Sequence, residues 1–117
     1  MRIDPRNPPR KYRCGTNDAV EISDCGRLRL EPDEQITFVS ASGKEHDFTA
    51  KSWGFYATPS VNGRLAAQGF KTALVRNHQG RVYVMVVERE KLNEFLDYLR
   101  REREEIEEWL DERKPTS

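Results

Sequence analysis

Val82-Tyr83-Val84-Met85-Val86-Val87 is the longest uninterrupted apolar run in the chain, and it constrains the fold more than any other segment. Its β-branched residues favour extended backbone, and it is too short to make a helix by itself. The turn formers Asn77-His78-Gln79-Gly80 precede it and Glu88 closes it. Val82, Val84 and Val86 alternate with Tyr83, Met85 and Val87, so both faces of the strand are apolar. Such a strand is expected at the centre of a sheet, covered on both faces. Phe70 to Asn77, across the turn, is its expected hairpin partner.

So apolar a run stands out because the chain is otherwise polar. Of 117 residues, 36% are hydrophobic and 34% charged, with a mean hydropathy of −0.87, so the core must be small. The run falls far short of the roughly 20 residues that cross a bilayer. No apolar stretch follows the first basic residues, so no secretory signal and no membrane partner are expected, and the expected location is cytoplasmic. Formal net charge is +0, but it is unevenly placed. Arg2, Arg6, Arg10, Lys11 and Arg13 dominate the start, while acids dominate from Glu88 onward. A basic body can attract anions. It can equally be neutralised by an acidic C-terminal segment laid over it.

Residues 1–17 read as a flexible basic tail, because Pro5, Pro8 and Pro9 exclude a helix and apolar residues are scarce. Ala19 to Ile22 and Arg27 to Leu30 read as short strands, with Leu28 and Leu30 alternating against Arg27 and Arg29. Gln35 to Ala41 and Glu45 to Lys51 form a hairpin around Ser42-Gly43-Lys44. Pro59 and Ser60 open a short helix, capped by Thr58 or Ser60 and ended at Gly69.

From Glu88 the residues Leu92, Phe95, Leu96, Leu99, Ile106, Trp109 and Leu110 recur at spacings of three and four. That spacing predicts one long C-terminal helix over 88–113, roughly 39 Å at 1.5 Å per residue. The charged run Arg100 to Glu105 interrupts the stripe. Beyond it, Ile106, Trp109 and Leu110 need a partner, either a second subunit, giving a homodimer through this helix, or the strands around Leu28 and Leu30. The expected fold class is α+β. A mainly antiparallel sheet of about four to six strands carries one short helix, with the long C-terminal helix packed on one face. The expected organisation is the 1–17 tail, a single α+β domain over 18–113 and a disordered C-terminus at 114–117.

No catalytic constellation is evident. Cys14, Cys25, His46 and His78 have irregular spacings, whereas structural zinc ligands come in close pairs, so no metal and no disulfide are expected. There is no nucleophile elbow, no phosphate loop and no dinucleotide fingerprint, so no catalytic residue and no cofactor are assigned. Lys51 to Leu65 is different. Trp53, Phe55 and Tyr56 crowd around Gly54, and Ser60, Asn62 and Arg64 follow at a helix start. Lys51, Trp53, Tyr56, Ser60, Asn62 and Arg64 together form a candidate ligand site for an anion, a carboxylated sugar or a nucleotide. The competing reading makes Trp53 and Phe55 core residues that close the end of a sheet, with Tyr56 bonded to backbone and Arg64 paired to an acid of the last helix.

Cys25-Gly26, Asp33-Glu34, the run Trp53 to Leu65 and Trp109-Leu110 also carry a resemblance. From Cys25 to Leu110 the chain resembles a small, poorly characterised bacterial family. Its mark is Trp-Gly-Phe-Tyr-Ala-Thr-Pro-Ser-x-Asn-x-Arg-Leu, and its members associate with surface-polysaccharide and sugar-nucleotide genes. The resemblance implies a sugar-related ligand and no particular activity. Three functional readings follow. The first is a non-catalytic small-ligand-binding or accessory protein of polysaccharide or sugar-nucleotide metabolism. The second is a nucleic-acid-binding module, from the basic start and the Lys51-x-x-Gly54-Phe55-Tyr56 pattern. The third is an enzyme with a site around Tyr56, Asn62 and Arg64.

Overall fold

A computed structural model describes residues 1–116. It is β-rich, with eight strands in three small antiparallel sheets, which overturns the expected α+β class. Backbone contacts divide the chain into two compact units. The first comprises Met1–Ile36 and Phe48–Tyr56, the second Thr37–Asp47 and Ala57 onward. Among the described residues no helix is long and apolar enough to cross a membrane.

The first unit is built on a long ribbon. Strand β1 (Arg2–Cys14) pairs antiparallel with β2 (Val20–Arg29). The segment expected as a tail therefore carries a strand. Prolines that bar a helix are tolerated in a two-stranded ribbon, whose strands are both edges. The register slips between Pro5 and Arg10, which accommodates the proline-rich stretch. Gly26 faces Pro5, and a β-carbon there would lie 2.5 Å from the Asp4 carbonyl oxygen. Only glycine fits that approach. Ion pairs lace the ribbon: Arg6 and Arg10 share Asp24, and Lys11 and Arg13 flank Glu21. Burial is slight. Ala50, 3% exposed, is the unit's buried apolar residue.

The hairpin of β3 (Gln35–Val39) and β4 (Glu45–Lys51) forms as expected, and β5 (Gly54–Ala57) adds a third strand in the order β3-β4-β5. The aromatic segment is thus partly a strand. The helix expected at Ser60 shortens to α1 (Arg64–Ala67), and Gly69 follows it in the left-handed region.

The second unit holds the apolar core. Strands β6 (Phe70–Arg76), β7 (Val82–Glu88) and β8 (Glu105–Trp109) run in the order β7-β6-β8. The central strand is β6, not the more apolar β7. Ala73 and Val75 on β6 are fully buried. They pack on Leu99 of helix α2 (Leu92–Glu102), with Met85, Phe95, Leu96, Tyr98, Ile106 and Trp109 around them.

The long C-terminal helix does not exist. Helix α2 ends at Arg103, which adopts the left-handed conformation while the Glu104 N–H donates to the Leu99 carbonyl. The chain then reverses into β8. Its pairing with β6 shifts register between Leu74 and Val75, so Ile106 and Trp109, three residues apart, lie opposite Val75 and Ala73. A β-bulge thus reproduces the spacing of a helix. Both residues find partners inside the unit, so the argument for a homodimer through a C-terminal helix loses its ground. Of the expected disordered C-terminus, residues 114–116 carry no regular structure and Ser117 lies outside the described residues.

Candidate functional site

The residues expected to form one site divide between the units. Lys51, Trp53 and Tyr56 belong to the first, and Ser60, Asn62 and Arg64 to the second.

In the first unit, Trp53 occupies the tight turn between β4 and β5 and is 69% exposed. Its ring stacks on Tyr56 at 6.1 Å with 29° between planes. Phe55, on β5, is 67% exposed. These rings are not core, so the reading that buries them is set aside. Apolar rings held in water at a hairpin tip offer flat surface for contact. Lys51 pairs with Asp33, and that carboxylate raises the lysine's pKa. Its charge is therefore already answered.

In the second unit, the Ser60 hydroxyl accepts from the Arg64 N–H at 3.1 Å, and the Ser60 carbonyl accepts from Leu65. The amides once expected to await an anion are thus partly occupied. Asn62 donates to the Arg113 carbonyl at 2.9 Å. Arg64 pairs with Asp47 at 3.2 Å, an acid of β4 and not of the last helix. Beside this pair His46 lies on the Phe70 ring, and burial pulls its pKa below the ordinary value. These residues tie α1 and the preceding loop to their surroundings.

Cys14 and Cys25 are free thiols, and both are exposed. Among the described residues no group of three His, Cys, Asp or Glu could hold a metal ion.

The structure adds residues that sequence reasoning missed. Asp4, Arg27, Leu28, Arg29, Leu30 and Phe55 line a groove of about 210 Å³ within the first unit. The ribbon register sets Arg27 opposite Asp4 and Arg29 opposite Arg2, so these four share one face. Asp4 is bound to Arg2 at 3.1 Å. Arg27 and Arg29 form no ion pair among the described residues. Arg2 thus answers the carboxylate, while Arg27 and Arg29 stand on the same face of the ribbon without an acidic partner among the described residues, in a groove that Phe55 also lines. The sequence signal was the alternation of Arg27 and Arg29 with Leu28 and Leu30. It reads as ordinary amphipathic patterning until Phe55 is placed against it.

No protein-family model, curated protein or solved structure matches this chain.

Proposed function

We propose that the protein is a non-catalytic binding module for an anionic ligand that also presents a flat apolar face. The observation that carries this reading is the groove in which Phe55 meets Arg27 and Arg29. The guanidinium groups match carboxylate or phosphate oxygens in a planar fork. The ring takes the apolar face of a sugar or a base. The Trp53–Tyr56 stack supplies a second platform in the same unit. An acidic sugar or a sugar nucleotide has this combination of features, in keeping with the polysaccharide association that the sequence resemblance implies.

Amide shifts on titration test the reading. The probes are a hexuronate and a nucleoside-diphosphate hexuronate, with a neutral hexose and inorganic phosphate as controls. The expected result is that Arg27 to Leu30 and Phe55 respond to the acidic sugars and not to the neutral one, and that Phe55→Ala weakens the response. An unmoved spectrum at millimolar probe overturns it.

A second reading, nucleic-acid binding, is favoured by the ribbon itself, where Arg10 lies 5.0 Å over the Tyr12 ring. Two-stranded ribbons enter nucleic-acid grooves, and arginines answer phosphates. Salt-dependent retention on single-stranded DNA or RNA would select it. An enzyme built on Tyr56, Asn62 and Arg64 gains no support, since Asn62 and Arg64 each donate within the fold and belong to a different unit from Tyr56.

A further inference from the structure

Strand β7 has a partner on one side only. Its backbone polarity can be read from the flanking bonds. Asn77 donates to the Arg81 carbonyl at 2.8 Å, and Arg89 donates to the Gly69 carbonyl at 2.8 Å. Opposed residues alternate between bonded and non-bonded pairs. Odd-numbered residues of β7 therefore bond to β6. The N–H and C=O groups of Val82, Val84 and Val86 point to the open edge. The same three valines are 47%, 66% and 36% exposed. Edges are commonly blunted by charge, proline or a bulge. On β8 the bulge and Glu105, Glu107 and Glu108 do this. Between Arg81 and Glu88, β7 carries none of these devices.

We propose that β7 is a self-association edge, on which two copies of this chain pair antiparallel about a two-fold axis at Val84 to form one continuous six-stranded sheet. The pattern Val82-Tyr83-Val84-Met85-Val86 is nearly palindromic about Val84. In this register Val82 faces the second copy's Val86, Val84 faces its counterpart, and Tyr83 faces Met85. All three outward-pointing valines then bond to valines, and no charged residue lies between Val82 and Val86.

The same register sets Arg81 opposite Val87 of the other copy, and directly opposed side chains share a face. On that face Val87, Lys91, Glu94, Phe95, Tyr98 and Arg101 help line a groove of about 410 Å³ between β7 and α2, which Glu88 also lines. The groove's two acids are balanced by its two bases, so Arg81 meets no net charge there and the pairing rests on the strand edge. The two-fold repeats the contact. The paired segment engages far fewer than the roughly 20–30 residues a side of a standard interface. The dimer is accordingly a weak one, formed at micromolar to millimolar concentration.

Sedimentation of the full chain across that range should show the mass rising from 13.7 kDa towards twice that value. Hydrogen exchange should show the Val82, Val84 and Val86 amides gaining protection with concentration, while Tyr83 and Met85 stay protected throughout. Val84→Lys should abolish association with the circular dichroism spectrum unchanged. A mass of 13.7 kDa at the highest concentration overturns the proposal, even if the edge captures some other protein. Association that survives Val84→Lys overturns it equally.

Discussion

The ribbon β1–β2 and the sheet β7-β6-β8 are both antiparallel, yet different forces hold them. The ribbon has ladder bonds and exposed ion pairs, and Ile3, Tyr12, Val20, Ile22 and Leu28 all lie more than a third exposed. The sheet has α2 against one face and buries Ala73, Val75 and Leu99 almost completely. Apolar burial contributes about 25 cal/mol per Å², whereas an exposed ion pair contributes about 0–1 kcal/mol. Stability should therefore concentrate in the second unit. The first unit presents side chains to solvent, and the groove proposed for a ligand lies there. Two-stranded ribbons are marginal alone, so its order should be the more easily lost.

Core truncation gives the widest contrast. Leu99→Ala should cost about 3 kcal/mol in urea unfolding, because the residue is 4% exposed and packed with Ala73 and Val75 of β6. Ile22→Ala, at a site 37% exposed, should cost less than about 1 kcal/mol. Equal losses would break the comparison and show that the ribbon hides a core of its own.

Two aspartates sharpen it. In the second unit the Asp111 carboxylate accepts from Lys71 at 2.9 Å and from the Thr72 N–H at 2.9 Å, with side-chain exposures of 14% for Lys71 and 6% for Asp111. Lys71 also lies 4.5 Å over the Trp109 ring. Burial pushes the Asp111 pKa up, but Lys71 and the amide outweigh it and hold it below the ordinary value. A depressed pKa means that the unfolded state binds the proton more readily. The stabilisation is therefore complete above the unfolded value of 3.8 and is lost as pH falls through the lower folded value. Asp111→Asn should cost about 2 kcal/mol at neutral pH and flatten that acid limb. In the first unit Asp24, also held low by the Gly26 amide and Arg10, keeps 24% of its side chain exposed against 6% for Asp111, and Asp24→Asn should change the urea midpoint less.

Glu104 tests the opposite sign. Its Oε1 is buried without a hydrogen-bond partner, and burial, with Glu102 nearby, raises its pKa. A raised carboxylate pKa favours folding below the unfolded value of 4.5, and the benefit is lost as pH rises through the folded value. Glu104→Gln should thus stabilise the protein at neutral pH, with the gain vanishing in acid. A loss of stability at neutral pH would mean that the carboxylate has a partner after all.

Much of the strand pattern is legible in the sequence, and its failures share a cause. The β3–β4 hairpin and the Asn77 to Gly80 turn fall where turn chemistry sets them. The apolar positions of β8 were misassigned because a bulge gave Ile106 and Trp109 helical spacing. The charged run at Arg100 to Glu105 marked the end of α2, although no glycine or proline signals it; Arg103 adopts the left-handed turn instead. For β7, apolarity on both faces was taken to mean burial, but a strand can be apolar because another chain covers it. The candidate ligand residues divided because Asn62 and Arg64 are typical donors whether they serve a ligand or the fold. Periodicity does not distinguish these uses; the hydrogen-bond partners do.

The smallest stability effect and the clearest spectroscopic one should come from Trp53. The chain's two tryptophans fall one in each unit. Trp109 is packed against Phe95, with ring centroids 6.0 Å apart, while Trp53 is 69% exposed. Removing an exposed ring deletes little buried surface, so Trp53→Phe should shift stability by less than about 0.5 kcal/mol. It should also remove nearly all the emission that iodide quenches, leaving the Trp109 signal. An acidic sugar that occupies the first unit should then alter the quenchable fraction in the native protein and leave the variant's emission unchanged. If ligand instead perturbs Trp109 emission in the variant, recognition belongs to the second unit, and the division between a stabilising unit and a presenting one fails.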